Sequence, residues 1–208
     1  ARRRFAPNSS RVTRHLPCSK GEAVDAILLG IDGTGPLGND AYRAEMQHSF
    51  VKYIVGHSPA KAKRYERGPA MDGFDMAVIA AKGYEYVHLT LATQPKALIY
   101  LTGYSRGAAG VIAVAQRLAK DNVKVRAMML FDAVDRAWGI DTEDIPNNVE
   151  HLVHARRDPY AFTRNSFGNC GTKWHTPTKC EMKLFRGTHG AIGGCARAIA
   201  SNLTRLAR

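Results

Sequence analysis

From Ala23 onward, runs of apolar and β-branched residues alternate with stretches of helical period. The runs span Ala23 to Ile31, Ala97 to Thr102, Val123 to Phe131, Val149 to Ala155 and Met182 to Phe185. They stand too far apart in sequence for hairpins and predict parallel strands joined by crossover helices. Tyr42, Met46, Phe50, Tyr53 and Ile54 form one apolar stripe, with Asp40 as its expected N-cap, and Met76, Ala80, Tyr84, Val87 and Leu91 form another. Gly83 lies inside the second stripe and weakens it by its low helix propensity. The Ala-rich segment from Gly107 to Ala119 suits a buried helix, and a last helix is expected to bury Ile192, Ala196, Ile199, Ala200 and Leu203. Arg197, Arg205 and Arg208 fall off that stripe. Two polar stretches, Gly56 to Asp72 and Asp135 to Asn148, predict loops over one rim of the sheet.

This pattern defines an α/β fold: a three-layer sandwich with a mostly parallel central sheet. A chain of 208 residues that is 45% hydrophobic suits one domain, expected over residues 23 to 208 behind a basic, irregular arm over residues 1 to 22. No apolar run approaches the roughly 18 residues that cross a bilayer, and Ala1-Arg2-Arg3-Arg4 lacks the apolar stretch of a signal peptide, so a soluble chain is expected. The net charge of +12 favours anionic partners, including peripheral contact with an anionic membrane. The basic residues are scattered, however, and no helix-turn-helix, RNP-like or zinc-finger pattern accompanies them, so no nucleic-acid partner is expected.

Cys18, Cys170, Cys180 and Cys195 allow two disulfides without requiring any. Cys170 and Cys180 bracket a polar loop that a cross-link would hold, and a disulfide there would place the chain in a secreted or periplasmic setting; otherwise the cytoplasm is expected. A zinc site of Cys170, His175 and Cys180 lacks a fourth ligand, and no metal or other cofactor is expected.

Candidate chemistry collects where the strands end. Gly103-Tyr104-Ser105-Arg106-Gly107 follows the strand Ala97 to Thr102 and opens the Ala-rich helix. Such a strand, tight turn and helix lifts a serine hydroxyl clear of the sheet at a helix N-terminus, and small residues two positions either side leave room for the turn. Serine needs a base, and His189 follows the short strand ending at Phe185 with Gly190, Gly193 and Gly194 around it. His151 and His154 fall on opposite faces of a strand and do not form a ligand pair. For the acid that orients the imidazole, Asp158 ends the strand before the one carrying His189, giving the order Ser, Asp, His. Asp132, at the end of the strand after the serine, is the alternative, and either carboxylate could instead pair with neighbouring arginines. Ile31-Asp32-Gly33-Thr34-Gly35 closes the first strand with a glycine-rich turn, whose Gly33 and Thr34 N–H groups, with that of Arg106, are expected to meet a developing oxyanion. The turn has neither the G-K-[ST] ending of a P-loop nor the spaced glycines of a dinucleotide site.

Together, Ile31-Asp32-Gly33-Thr34-Gly35, Gly103-Tyr104-Ser105-Arg106-Gly107-Ala108, Phe131-Asp132-Ala133-Val134, His154-Ala155-Arg156-Arg157-Asp158 and Gly187-Thr188-His189-Gly190-Ala191-Ile192-Gly193-Gly194 resemble the α/β-hydrolase domain family that includes the phospholipase effectors of type VI secretion. The resemblance implies an α/β-hydrolase-like fold and a Ser105, Asp158, His189 triad acting on ester bonds; a small-molecule or lipid ester is the expected substrate. A protein of another kind with the same fold, a catalytically inert module docking on anionic membranes or acidic partners, is the alternative expectation.

Overall fold

A computed structural model describes residues 23–135, 141–160 and 168–195. Six strands form one sheet: β1 (Val24–Ile31), β2 (Ala60–Glu66), β3 (Leu98–Tyr104), β4 (Ala127–Phe131), β5 (His151–Arg157) and β6 (Lys179–Phe185). Their order is β2-β1-β3-β4-β5-β6, and every neighbouring pair is parallel. The helices are α1 (Asn39–Glu45), α2 (Phe50–His57), α3 (Met76–Thr93), α4 (Arg106–Lys120) and α5 (His189–Ile192).

Alternation along β1 divides the core between two faces of the sheet. Ile27, Leu29 and Ile31 join the larger cluster with Met76, Ala80 and Val87 of α3 and with the buried face of α4. Ala26 and Leu28 turn to the opposite face, where Ile54 and Val55 of α2 cover them. The result is a three-layer α/β sandwich. Because all strands run the same way, Asp32, Ser105, Asp132, Asp158 and His189 gather at the carboxyl-terminal edge, where open α/β sheets bind ligands.

Several elements differ from the sequence expectation. Strand β2 lies inside the stretch expected to be loop, because Lys61 and Lys63 are exposed and only Ala60 is fully buried. Backbone pairing to β1 at the sheet edge stabilises it, and such pairing leaves little hydrophobic pattern. The stripe from Tyr42 to Ile54 is two helices, α1 and α2, parted by Met46–Ser49. Gly38, not Asp40, occupies the N-cap of α1, and Ser49 caps α2 by accepting the Lys52 N–H at 3.4 Å. The break rotates the buried face to Val51 and Val55 and leaves Phe50 and Tyr53 exposed. In contrast, α3 runs unbroken through Gly83, which packs against Leu29.

Cys170 and Cys180 are free thiols, without the cross-link that the sequence allows. Cys170 sits in the main core, where burial pushes its thiol up to about 12. The loop between them is held by hydrogen bonds instead: Lys173 O accepts the Ile145 N–H at 2.8 Å, and the Thr178 hydroxyl donates to Val149 O at 2.8 Å. Among the described residues no cluster of potential metal ligands occurs, and no helix is long and apolar enough to cross a membrane. The N-terminal arm with Cys18, residues 136–140 with Trp138 and Gly139, and the expected last helix beyond Cys195 lie outside the described residues.

Candidate active site

Steric limits at the end of β3 create the turn that carries Ser105. A Cβ on Gly107 would stand 2.1 Å from Asp32 O, and one on Gly103 would stand 2.6 Å from Ala108 Cα. Ser105 itself has φ 56° and ψ −128°, a conformation that costs a non-glycine residue about 1–3 kcal/mol and that the surroundings must enforce. They do so through its backbone. The Ser105 N–H donates to Phe131 O at 3.0 Å, and Ser105 O accepts N–H bonds from Ala108 at 3.0 Å and Val134 at 3.2 Å. The side chain therefore projects from the start of α4 toward the loop after β6.

His189 opens α5 there, with Thr188 as N-cap accepting the Ala191 N–H at 3.1 Å. Its Nε2 lies 2.8 Å from Ser105 Oγ, and its Nδ1 lies 2.6 Å from Asp132 Oδ2. A carboxylate only accepts, so the proton sits on Nδ1 and Nε2 is left to accept from the serine hydroxyl. The Tyr104 ring packs against the imidazole at 4.9 Å between centroids, and its hydroxyl donates to His189 O at 3.3 Å. Burial pushes the Tyr104 phenol well above its ordinary range, so it remains a neutral donor.

The acid facing His189 is Asp132, not Asp158. Sequence order favours Asp158, but the loop after β6 folds back across β5 and brings His189 over the end of β4. Asp158 ends one strand farther out. Its Oδ1 accepts the Tyr160 N–H at 2.9 Å, and its Oδ2 lies 3.6 Å from Nε of the exposed Arg186. Asp132 is wholly buried and has φ 43°. Its Oδ1 accepts the Arg157 N–H at 3.1 Å, and its Oδ2 also meets Arg157 Nε at 2.5 Å. His154 supports the same turn: its Nε2 accepts the Ala133 N–H at 3.2 Å while its Nδ1 donates to Gly171 O at 3.2 Å. Accepting at Nε2 requires a neutral ring, and burial lowers the His154 pKa to about 4.

The glycine turn after β1 lies against the nucleophile, since a Cβ on Gly33 would stand 3.3 Å from Ser105 Cβ. Gly33 is not the oxyanion donor that the sequence suggests, because its N–H is held by Asp32 Oδ1 at 2.8 Å. Asp32 Oδ2 accepts the Tyr65 hydroxyl at 2.8 Å, and desolvation raises the Asp32 pKa despite bonds from Ser49, Gly33 and Tyr65. Thr34 stands beside the first turn of α4, where Arg106 Nη1 donates to Thr34 Oγ1 at 3.3 Å and to Met71 O at 2.9 Å. Arg157, His154 and Tyr104 are members of this site that sequence reasoning missed. Each lies within a strand, and only pairing of β3, β4 and β5 reveals what it faces.

The all-parallel sheet forms a three-layer α/β sandwich, and the strained serine turn sets Ser105, His189 and Asp132 in one hydrogen-bonded series at its carboxyl-terminal edge. No protein-family model matches the chain, and no curated protein matches it. Similar solved structures include the RedJ thioesterase of the prodiginine pathway in Streptomyces coelicolor, at 13% identity over 98% of this chain and 96% of that one, with a TM-score of 0.49. YbtT, a type II thioesterase of the yersiniabactin pathway, shares 12% identity over 91% of this chain and 95% of that one, with a TM-score of 0.48. A putative YdeN-like hydrolase from Pectobacterium atrosepticum shares 16% over 87% and 89%, with a TM-score of 0.42. The resemblance to the type VI phospholipase branch rests on the sequence motifs alone.

Proposed function

We propose that the protein is a serine hydrolase that cleaves carboxylic ester bonds through an acyl-enzyme on Ser105. The observation that carries this reading is the continuous relay from Ser105 Oγ to His189 Nε2 at 2.8 Å and from His189 Nδ1 to Asp132 Oδ2 at 2.6 Å. In this reaction His189 takes the Ser105 proton as Oγ bonds to the ester carbonyl carbon, and Asp132 holds the ring and stabilises the imidazolium. The oxyanion forms beside the N–H groups of Arg106, at the positive end of α4, and Thr34. His189 then gives its proton to the departing alcohol. Water attacks the acyl carbon, passing a proton through His189 back to Ser105 Oγ as the acid leaves. The substrate class that goes with this chemistry is a small-molecule or lipid ester.

Ser105→Ala is expected to abolish hydrolysis of p-nitrophenyl butyrate while leaving the circular dichroism spectrum and melting temperature near those of wild type. Equal activity in the two proteins would overturn the assignment. A fluorophosphonate probe should label the wild-type protein and not the variant; an unlabelled wild type would point to the inert docking module instead.

A further inference from the structure

Asp132 carries more than the imidazole. Arg157, at the end of β5, is 6% exposed in its side chain, and its Nε lies 2.5 Å from the same Oδ2 that meets His189 Nδ1 at 2.6 Å. Its backbone N–H occupies the other carboxylate oxygen at 3.1 Å, and its Nη2 donates to Gly168 O at 3.3 Å. A buried guanidinium and the imidazole therefore share one oxygen and stand within about 5 Å of each other, where charges interact strongly.

We propose that Arg157 is a positioning residue of this site, a buried cation that orients Asp132 and, through its charge, sets the lower pH limit of the reaction. The proposal rests on the serine hydrolase reading and concerns the balance of charge around its base. With His189 neutral, Asp132 and Arg157 cancel. When His189 gains the serine proton, the cluster carries a net positive charge, and Arg157 opposes that gain.

The other titratable groups around the imidazole act less directly. His154 of β5 reaches the site through Ala133 and is kept neutral by burial, with Arg156 acting on it from farther off. Tyr104 of β3 and Cys195 after α5 are likewise held neutral by burial, and Glu45 of α1 acts on both. Asp32 after β1 acts on Tyr104 and Cys195 and is itself influenced by Lys52 of α2. Among the described residues, Arg157 is the cation paired with the acid.

The test is the rate of fluorophosphonate labelling of Ser105 against pH, in which Ser105 Oγ bonds to phosphorus, fluoride leaves and His189 takes the proton. In Arg157→Gln the acid limb of this profile should move up by about one to two pH units, because the charge opposing the imidazolium is gone. Arg157→Lys should keep the limb within about half a pH unit of wild type, even where the rate falls through lost geometry. A residue with only a structural role would lower the rate at every pH without moving the limb. An unmoved limb in Arg157→Gln therefore overturns the proposal. If Arg157→Gln does not fold, Arg157→Met repeats the test with an apolar chain. If neither neutral variant folds, Asp132→Asn is compared with Asp132→Asn/Arg157→Gln, which leaves no buried charge unpaired, and an acid limb at the same pH in both overturns the proposal. Wild-type protein that is not labelled at any pH overturns the hydrolase reading instead, so the two failures are distinguishable.

Discussion

Replacing each candidate acid by asparagine separates the two carboxylates sharply. At Asp132 the amide has two orientations. With its NH2 toward His189, a donor faces the Nδ1–H that the carboxylate accepts at 2.6 Å; with its NH2 reversed, a donor faces the Arg157 N–H that the carboxylate accepts at 3.1 Å. Either way the imidazole loses its anionic partner, and the tautomer that leaves Nε2 open to Ser105 is no longer favoured. The expected loss in kcat/KM is about 10³- to 10⁴-fold, or about 4–5.5 kcal/mol of transition-state stabilisation. Asp158→Asn removes an ion pair of 3.6 Å to an Arg186 side chain that is 85% exposed, an interaction worth less than about 1 kcal/mol after solvent screening. Its effect on kcat/KM should stay below about threefold. The assay is steady-state hydrolysis of p-nitrophenyl butyrate, with folded protein quantified by thermal melting. That control matters because Asp132→Asn also leaves the buried Arg157 charge uncompensated, at a stability cost of roughly 3–5 kcal/mol. A larger loss of kcat/KM in Asp158→Asn than in Asp132→Asn would refute the reasoning.

Two further outcomes follow from packing and burial. Gly107→Ala puts a methyl group 2.1 Å from Asp32 O and 2.4 Å from Ile31 O, so it should lower stability in denaturant by about 1–3 kcal/mol or more and slow Ser105 labelling; wild-type stability in that variant would contradict the close approach. His154 has its pKa lowered from 6.5 to about 4 in the folded protein, so the unfolded chain binds the extra proton between those values. Stability should be unaffected by this group above about pH 6.5 and fall by up to about 3 kcal/mol as the pH drops toward 4. His154→Gln can accept from Ala133 and donate to Gly171 without titrating, and its melting temperature should therefore depend less on pH in that window. An unchanged slope in differential scanning calorimetry would remove His154 as the cause.

Much of the architecture was readable in the chain because the reasons for it are local. A nearly all-apolar run such as Ala26 to Ile31 is a buried strand wherever it sits, and Ser105 between Gly103 and Gly107 is a tight strand-to-helix turn because no side chain fits at either glycine. Strand β2 was not readable, since Lys61 and Lys63 face solvent and its stability comes from backbone pairing with β1. Nor was the break between α1 and α2, where Ser49 caps a second helix and turns Phe50 and Tyr53 outward.

The site divides along the same line. Ser105 and His189 were legible as nucleophile and base candidates because each stands after a strand with glycines that let the backbone turn. The carboxylate was not, because Asp132 and Asp158 each follow a strand and differ in which strand the loop after β6 crosses. The same holds for Gly33, whose N–H was taken by its own neighbour Asp32, and for Arg157, whose partner lies across a strand pair. Turn and strand propensities act over a few residues and can be read along the chain. Which donor meets which acceptor depends on contacts between residues far apart in sequence, and only the folded sheet, by setting β4 beside β5, decided them.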